Sequence, residues 1–311
     1  MRYQTDSGQK SEEMPARTWF QVYREAVSCL KGSGVAEAEL DAWYLLEAIT
    51  GMSRTDFLLH REERLLTEEA GQVKEYNRLV TERARRIPLS YLTGRRNFCG
   101  LEFAVSEAVL IPRQDTECLV ETVLPYTKDA RILDLCTGSG CIAVSLAVLG
   151  SPYSVTGADI SEAALAVARS NGERLLEEEK DRRSRQELER LSWIQSDLFG
   201  QIEGTFDIIV SNPPYIASGV IETLEPEVKE FEPRLALDGE EDGLSFYRRI
   251  LAEAPSYLKE GGLLALEIGY DQGEIVSGWM RRQGFFQVQI IKDLAGLDRV
   301  VIGWKDVIRA K

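Results

Sequence analysis

Histidine is scarce in this chain, and net positive charge, long apolar runs and paired cysteines are lacking; each shortage narrows what the protein can be. One histidine among 311 residues, His60, sits amid leucine and arginine and is read as structural. Any chemistry here then proceeds without a histidine base. Five cysteines, at 29, 99, 118, 136 and 141, form no Cys-x-x-Cys pair. With one histidine available they build no zinc site, and they are expected to be reduced and packed like small apolar residues. A formal charge of −14 argues against an extended nucleic-acid surface, which must neutralise phosphates. No sequence-specific nucleic-acid binding is expected. No apolar run reaches membrane-spanning length and the first residues lack a signal-peptide core, so the expected location is cytoplasmic, with no membrane partner.

What is present divides the chain. Residues 1–14 are polar and expected to be disordered. Residues 15–87 read as a small helical domain. Its first helix starts near Thr18 with Phe20, Tyr23, Val27 and Leu30 on one face. The second, from Glu37 to Ile49, is expected to bury Leu40, Trp43, Tyr44 and Leu46. The third, Thr67 to Arg86, carries Val73, Tyr76, Leu79 and Val80 inward. No catalytic constellation is visible there, which suggests a substrate-interaction role. Residues 88–108, with Tyr91-Leu-Thr-Gly94 and Asn97-Phe-Cys-Gly-Leu-Glu-Phe103, have the glycine and aromatic spacing of a β-hairpin linker. Arg83, Arg85, Arg86, Arg95 and Arg96 make a basic island, read chiefly as a solvated face and alternatively as a contact for an anionic partner.

From 109 to 311 strands and helices alternate. Strands are expected at Arg131–Leu135, Ser154–Ala158, Trp193–Gln195, Phe206–Val210 and Gly262–Glu267, and helices at Cys141–Leu149, from Ser161, at Leu244–Leu258 and at Gln272–Arg282. Two closing strands, Phe286–Ile291 and Arg299–Gly303, are joined by a short connection. This is the pattern of an α/β doubly wound, mostly parallel sheet with an antiparallel edge hairpin. The charge-dominated stretch Asn171–Arg190 is read as a solvated helical extension, with Glu178/Arg182 and Glu179/Arg183 at i,i+4 worth roughly 0.3–0.5 kcal/mol each.

Three consecutive strand ends carry the chemistry. The first strand runs through Asp134 and Cys136 into Thr137-Gly138-Ser139-Gly140, a turn that opens a helix and presents backbone N–H groups to a ligand. Asp159, nineteen residues past Gly140 and beside Ile160, is placed to accept both hydroxyls of a ribose. That geometry serves NAD and S-adenosylmethionine alike. Asp197 suits an adenine amino group, with Leu198 against the ring. The fourth element is Phe206-Asp-Ile-Ile-Val-Ser-Asn-Pro-Pro-Tyr215. Its prolines stop any helix or ladder and leave acceptors at the carboxyl edge of the sheet.

Together the Asp134-x-x-x-Gly-x-Gly turn, Asp159, Asp197 and Asn212-Pro-Pro-Tyr215 resemble the class I S-adenosylmethionine-dependent methyltransferases, whose domain is a Rossmann-like α/β sheet. Asn-Pro-Pro-Tyr alone is shared with DNA adenine-N6 methyltransferases. Further segments are closer to the HemK/PrmC group, the N5-glutamine methyltransferases of peptide chain release factors. These are Tyr91-Leu-Thr-Gly94, Ile111-Pro-Arg113 with Thr116-Glu117, Glu232-Pro-Arg-Leu-Ala-Leu237, Asp242-Gly-Leu244, Glu267-Ile-Gly269 and Asp293-Leu-Ala-Gly296 with Arg299. The chain departs from the group at Cys136, where glycine is usual, and at Gln114-Asp115, in place of Pro-Glu.

The resemblance implies S-adenosylmethionine as cofactor, held by Asp134, Cys136, Thr137, Gly138, Ser139, Gly140, Asp159, Ile160, Asp197, Leu198 and Asn212. It implies class 1 release factors as partners, methylated at the glutamine of their Gly-Gly-Gln motif. Asn212 Oδ1 and the Pro213 carbonyl would each accept one amide N–H, Tyr215 would supply a face for the flat amide, and Pro214 and Arg113 would complete the substrate side. A ribosomal-protein glutamine methyltransferase and, further off, an adenine-N6 methyltransferase remain alternatives.

Overall fold

The computed structural model describes residues 17–178 and 191–306, which form two compact units meeting in the chain at Thr93/Gly94. The expectations for residues 1–14 and for residues 179–190 of the charged Asn171–Arg190 stretch lie outside the described residues.

The first unit is helical: α1 (Trp19–Gly32), α2 (Ala38–Thr50), α3 (Arg54–Leu59), α4 (Ala70–Ala84) and α5 (Leu89–Thr93). Thr18 caps α1 in a reciprocal box with Gln21, satisfying two backbone donors at the helix start. The buried stripe of α1 is Trp19, Val22, Ala26 and Leu30, so Phe20, Tyr23 and Val27 are only half-buried. In α2 the expected face is also turned: Ala38, Ala42 and Leu45 are buried with Trp43 and Leu46, whereas Leu40 and Tyr44 are exposed. Small alanines let α2 approach its neighbours closely, and size alone misidentified the inner face. Val73, Tyr76, Leu79 and Val80 of α4 are buried as expected, and the Tyr76 hydroxyl donates to the Ala42 carbonyl at 2.9 Å.

Arg83 is no part of a solvated island. It is buried and its Nε donates to buried Asp41 at 2.6 Å, tying α4 to α2. Arg86 donates to the Gly34 carbonyl. In the second unit Arg95 pairs with Glu102 and Arg96 donates to the Pro112 carbonyl. The segment Leu89–Thr93 is helical where a hairpin was expected. The antiparallel hairpin begins one residue past Gly94, as β1 (Arg95–Phe98) and β2 (Leu101–Ala104). His60 is exposed and paired with Glu63.

After the hairpin come α6 (Glu117–Val123), β3 (Arg131–Leu135), α7 (Cys141–Leu149), β4 (Ser154–Asp159), α8 (Glu162–Glu178), β5 (Leu191–Gln195) and β6 (Phe206–Ser211). Short helices α9 (Ser218–Ile221) and α10 (Pro226–Phe231) precede α11 (Ser245–Tyr257), β7 (Leu258–Glu267), α12 (Gly273–Arg282), β8 (Phe285–Lys292) and β9 (Asp298–Lys305). Among the described residues seven strands form one sheet ordered β5-β4-β3-β6-β7-β9-β8. The first five are parallel and β9 runs antiparallel to both neighbours. Apolar clusters cover both faces, which is why the central strands read as nearly continuous Ile, Leu and Val.

The winding reverses between β3 and β6, the place where open α/β sheets leave a crevice at their carboxyl edge. Register aligns Leu135 with Ala158 on one side and Ser211 on the other. The next residue in each strand or strand end is therefore Cys136, Asp159 or Asn212, side by side at that edge.

Candidate active site

The turn after β3 is shaped from beneath. Asp134 is wholly buried; its Oδ2 accepts from the Thr137 hydroxyl at 2.6 Å and the Ala143 N–H at 3.1 Å. Burial pushes its carboxyl up to about 7. It therefore organises the turn and does not line the crevice, unlike Cys136, Thr137, Gly138 and Ser139. Gly140 begins α7 at φ +78°, and a β-carbon there would lie 2.9 Å from the Trp193 ring and 3.0 Å from the Ala168 side chain. Its role is conformation and close packing of α7 on α8. Cys136 takes the left-handed region too, at φ +59°, a conformation that favours the glycine it replaces.

Asn171 corrects the expectation of a solvated extension at its first residue. It is fully buried, accepts from the Ala104 N–H at 2.8 Å, and donates to the Ala104 and Ser139 carbonyls at 3.0 Å each. It thereby ties the hairpin to the glycine turn. The signal was available: Leu165, Ala168, Asn171, Gly172 and Leu175 recur at helical spacing, and all are buried.

Asp159 is half-buried at the end of β4. Its Oδ2 accepts from the Gly138 N–H and its Oδ1 from the Ser161 N–H, each at 2.9 Å. Burial raises its carboxyl above the usual range, and these two N–H groups oppose the shift. Ile160 stands half-exposed at the rim, Leu198 is buried, and both line the crevice. Asp197 does not stand free: its Oδ1 is paired with Arg249 Nη2 at 2.7 Å, and that guanidinium lies over the Phe246 ring at 5.8 Å. Nothing in the motif pattern marked Arg249, because its partner is 52 residues away.

At the end of β6 the Ser211 hydroxyl donates to the Leu135 carbonyl. Asn212 lines the crevice, and its Nδ2 donates to the Thr116 hydroxyl oxygen at 3.3 Å. Oδ1 has no hydrogen-bond partner among the described residues and is left as an acceptor. Pro214 also lines the crevice, but Pro213 and Tyr215 do not. The Tyr215 ring packs on the apolar cluster beneath the sheet edge, where burial raises its hydroxyl. Its main chain is what holds the loop: Gln272 Nε2 donates to the Tyr215 carbonyl at 3.0 Å and the Gly243 carbonyl at 3.2 Å. Ile216 exchanges backbone hydrogen bonds with Leu237 and Gly239. Gln272 lay unmarked in the sequence three residues past Glu267-Ile-Gly269.

Arg113 also lines the crevice and donates to Glu232 at 2.5 Å. Glu232 is buried; burial raises its carboxyl and Arg113 counters it. This pair joins the Ile111-Pro-Arg113 segment to the Glu232-Pro-Arg-Leu-Ala-Leu237 segment.

A reversed parallel sheet with a glycine turn, two strand-end acids and an Asn-Pro-Pro-Tyr loop on one crevice defines a class I methyltransferase. A solved structure of the hMettl16 catalytic domain has the same fold at a TM-score of 0.53, with 15% identity, covering 80% of this chain and 86% of that one. Residues 21–94 match the PrmC N-terminal domain and residues 113–227 the methyltransferase small domain. The release factor glutamine methyltransferase of Geobacter sulfurreducens is 42% identical over 88% of this chain and 92% of its own length. That of Caulobacter vibrioides is 38% identical over 94% and 98%. The chain belongs to the release factor glutamine methyltransferase family, and methyltransferases of this kind take their methyl group from S-adenosylmethionine.

Proposed function

We propose that this crevice methylates the side-chain amide nitrogen, N5, of the glutamine in the Gly-Gly-Gln motif of class 1 release factors. Residues present fit the cofactor. Asp159 keeps lone pairs for a ribose diol beyond its two backbone partners, Leu198 and Ile160 offer apolar walls for a purine, and Asp197 retains Oδ2 for an amino group. The glycine turn around Gly138 is the place for the amino-acid end. S-adenosylmethionine supplies, when bound, an electrophilic sulfonium methyl.

The protein's own contribution is orientation. A glutamine amide is a weak nucleophile because its nitrogen lone pair is delocalised into the carbonyl. Acceptors for both N–H groups, Asn212 Oδ1 and the Pro213 carbonyl, fix the nitrogen and favour the positive charge that develops on it. The single observation that carries the reading is the commitment of Asn212 Nδ2 to Thr116, which presents an acceptor to the crevice. Tyr215 serves from beneath, through a main chain pinned by Gln272. Arg113, held by Glu232, borders the substrate side. The helical unit, which ends at Thr93, presents the release factor.

The test supplies labelled S-adenosylmethionine with a class 1 release factor, the same factor with its loop glutamine replaced, ribosomes, and adenine-containing DNA. Label is expected in the intact release factor alone. Label in a ribosomal protein or in DNA instead would assign a different acceptor.

A further inference from the structure

We propose that Thr116 is a positioning residue for methyl transfer, its hydroxyl setting which end of the Asn212 amide faces the acceptor, with buried Glu267 holding the hydroxyl's proton. The inference rests on the role given to Asn212 above.

An asparagine amide has two ends of almost equal size and opposite hydrogen-bonding character. Rotated by half a turn, Asn212 would present an N–H to a substrate amide that itself presents N–H groups. Shape does not prevent that error. Only a partner at the far end can, and Thr116 Oγ1 is that partner, 3.3 Å from Nδ2. A hydroxyl is itself ambiguous, since it donates one bond and accepts others. It selects the correct end only if its own proton is committed elsewhere.

The fold supplies that commitment. Thr116 borders the crevice but is only 2% exposed, so its hydroxyl finds its partners within the protein. The backbone around it is fixed by a 3-10 turn over Gln114–Thr116 and a Thr116 N–H to Arg113 carbonyl bond. Register pairs Ser211 with Leu266, which puts Glu267 beside Asn212 on the neighbouring strand. Glu267 is 1% exposed, and its Oε2 has no partner among the described residues. The Thr116 and Tyr215 hydroxyls both act on its carboxyl group, opposing the rise that burial gives it. A carboxyl keeps an acceptor lone pair whether or not it is ionised. In the proposed arrangement donation runs from Asn212 Nδ2 to Thr116 and from Thr116 to the adjacent Glu267, leaving Asn212 Oδ1 toward the crevice. A buried carboxyl without an ion-pair partner in direct contact is costly; fixing this direction gives it a use.

The experiment compares Thr116→Val, which keeps the shape and removes the hydroxyl, with Thr116→Ser, which keeps the hydroxyl, using labelled S-adenosylmethionine and a class 1 release factor. Thr116→Val is expected to lower kcat by roughly ten- to hundredfold, the scale of a lost orienting hydrogen bond. KM, cofactor Kd and Tm should change little, and Thr116→Ser should recover most of kcat. In an Asn212→Ala background the valine change should cost nothing more, because it acts through Asn212. Glu267→Gln is the second variant: its amide can donate to Thr116 and release the hydroxyl proton toward Asn212, so kcat should fall again without loss of cofactor affinity. Wild-type kcat in both Thr116→Val and Glu267→Gln, or an undiminished Thr116→Val loss in the Asn212→Ala background, would overturn the inference. Asn212→Ala at wild-type turnover would instead remove the amide-cradle reading on which it rests.

Discussion

A β-carbon on Gly243 would lie 2.4 Å from the Tyr215 carbonyl oxygen. The two backbones touch because Gly243 adopts φ +72° and because Gln272 Nε2 bridges the carbonyls of both residues. The segment before α11 is thus built as a floor for the Asn212-Pro-Pro-Tyr215 loop. Gly239 does the same one turn away: a β-carbon there would meet the Tyr215 Cα at 2.8 Å and the Pro214 carbonyl at 2.9 Å.

Gly243→Ala should therefore injure transfer by displacing the loop. The left-handed backbone alone costs about 1–2 kcal/mol for a non-glycine residue, and the carbonyl must also move. A shift of this kind in a positioned acceptor is expected to lower kcat by at least about tenfold. Cofactor Kd from calorimetry should move less than kcat. A variant with wild-type kcat would show that the loop tolerates displacement.

Asn212→Ala removes the acceptor itself. Loss of one such preorganised contact is on the order of 10²–10³ in kcat. Because Asp159, Leu198 and the glycine turn remain, cofactor affinity should change little. Single-turnover transfer to a release factor measures the first quantity and equilibrium binding the second.

Asp159→Ala is expected to act on binding. A hydrogen bond to a charged group is worth about 1.5–3 kcal/mol, or roughly tenfold to a hundredfold and more in Kd. Part of the loss comes indirectly, since Asp159 also receives the Gly138 and Ser161 N–H groups and so helps hold the glycine turn. Asp159→Asn keeps the acceptor Oδ1 and should lose less. Equal affinity of Asp159→Ala and the parent enzyme would remove Asp159 from the cofactor site.

The strand ends were legible in the sequence because each strand's carboxyl terminus is marked by a change from apolar residues to Gly, Asp or Asn-Pro. A parallel sheet then aligns those ends without further information. Side-chain direction was less legible. Tyr215 lies beside two prolines in an exposed-looking loop, yet it packs half-buried against the core, with Gly239 and Gly243 clearing space for its main chain. Asn171 opens a charged run but belongs to the last buried turns of α8, so composition pointed outward while periodicity pointed in. In the helical unit, Arg83 was hidden among other arginines, and only its tertiary partner Asp41, 42 residues away, shows why it is buried. Such pairings are long-range, and a local pattern carries no record of them.

Glu267 makes the last expectation, on stability. Its carboxyl is pushed up to about 7 by burial, with the Thr116 and Tyr215 hydroxyls and the Arg299 charge opposing the shift and Asp115 adding to it. In the unfolded chain it titrates at its ordinary value near 4.5. Between those two values the folded protein binds more protons than the unfolded one, so stability falls as pH rises through the window and the full penalty is present above about 7. Asp134 contributes a slope of the same sign, its carboxyl also raised to about 7. Glu267→Gln should remove one of the two. Its stability relative to the parent should therefore rise steadily from pH 5 to pH 8, by an amount on the order of 3 kcal/mol, and level off beyond. Urea unfolding across that range provides the measurement, with the cofactor omitted because its binding would add a linkage of its own. A difference between the two proteins that stays constant with pH would mean that Glu267 is ionised throughout, stabilised by Arg299 more strongly than its burial opposes.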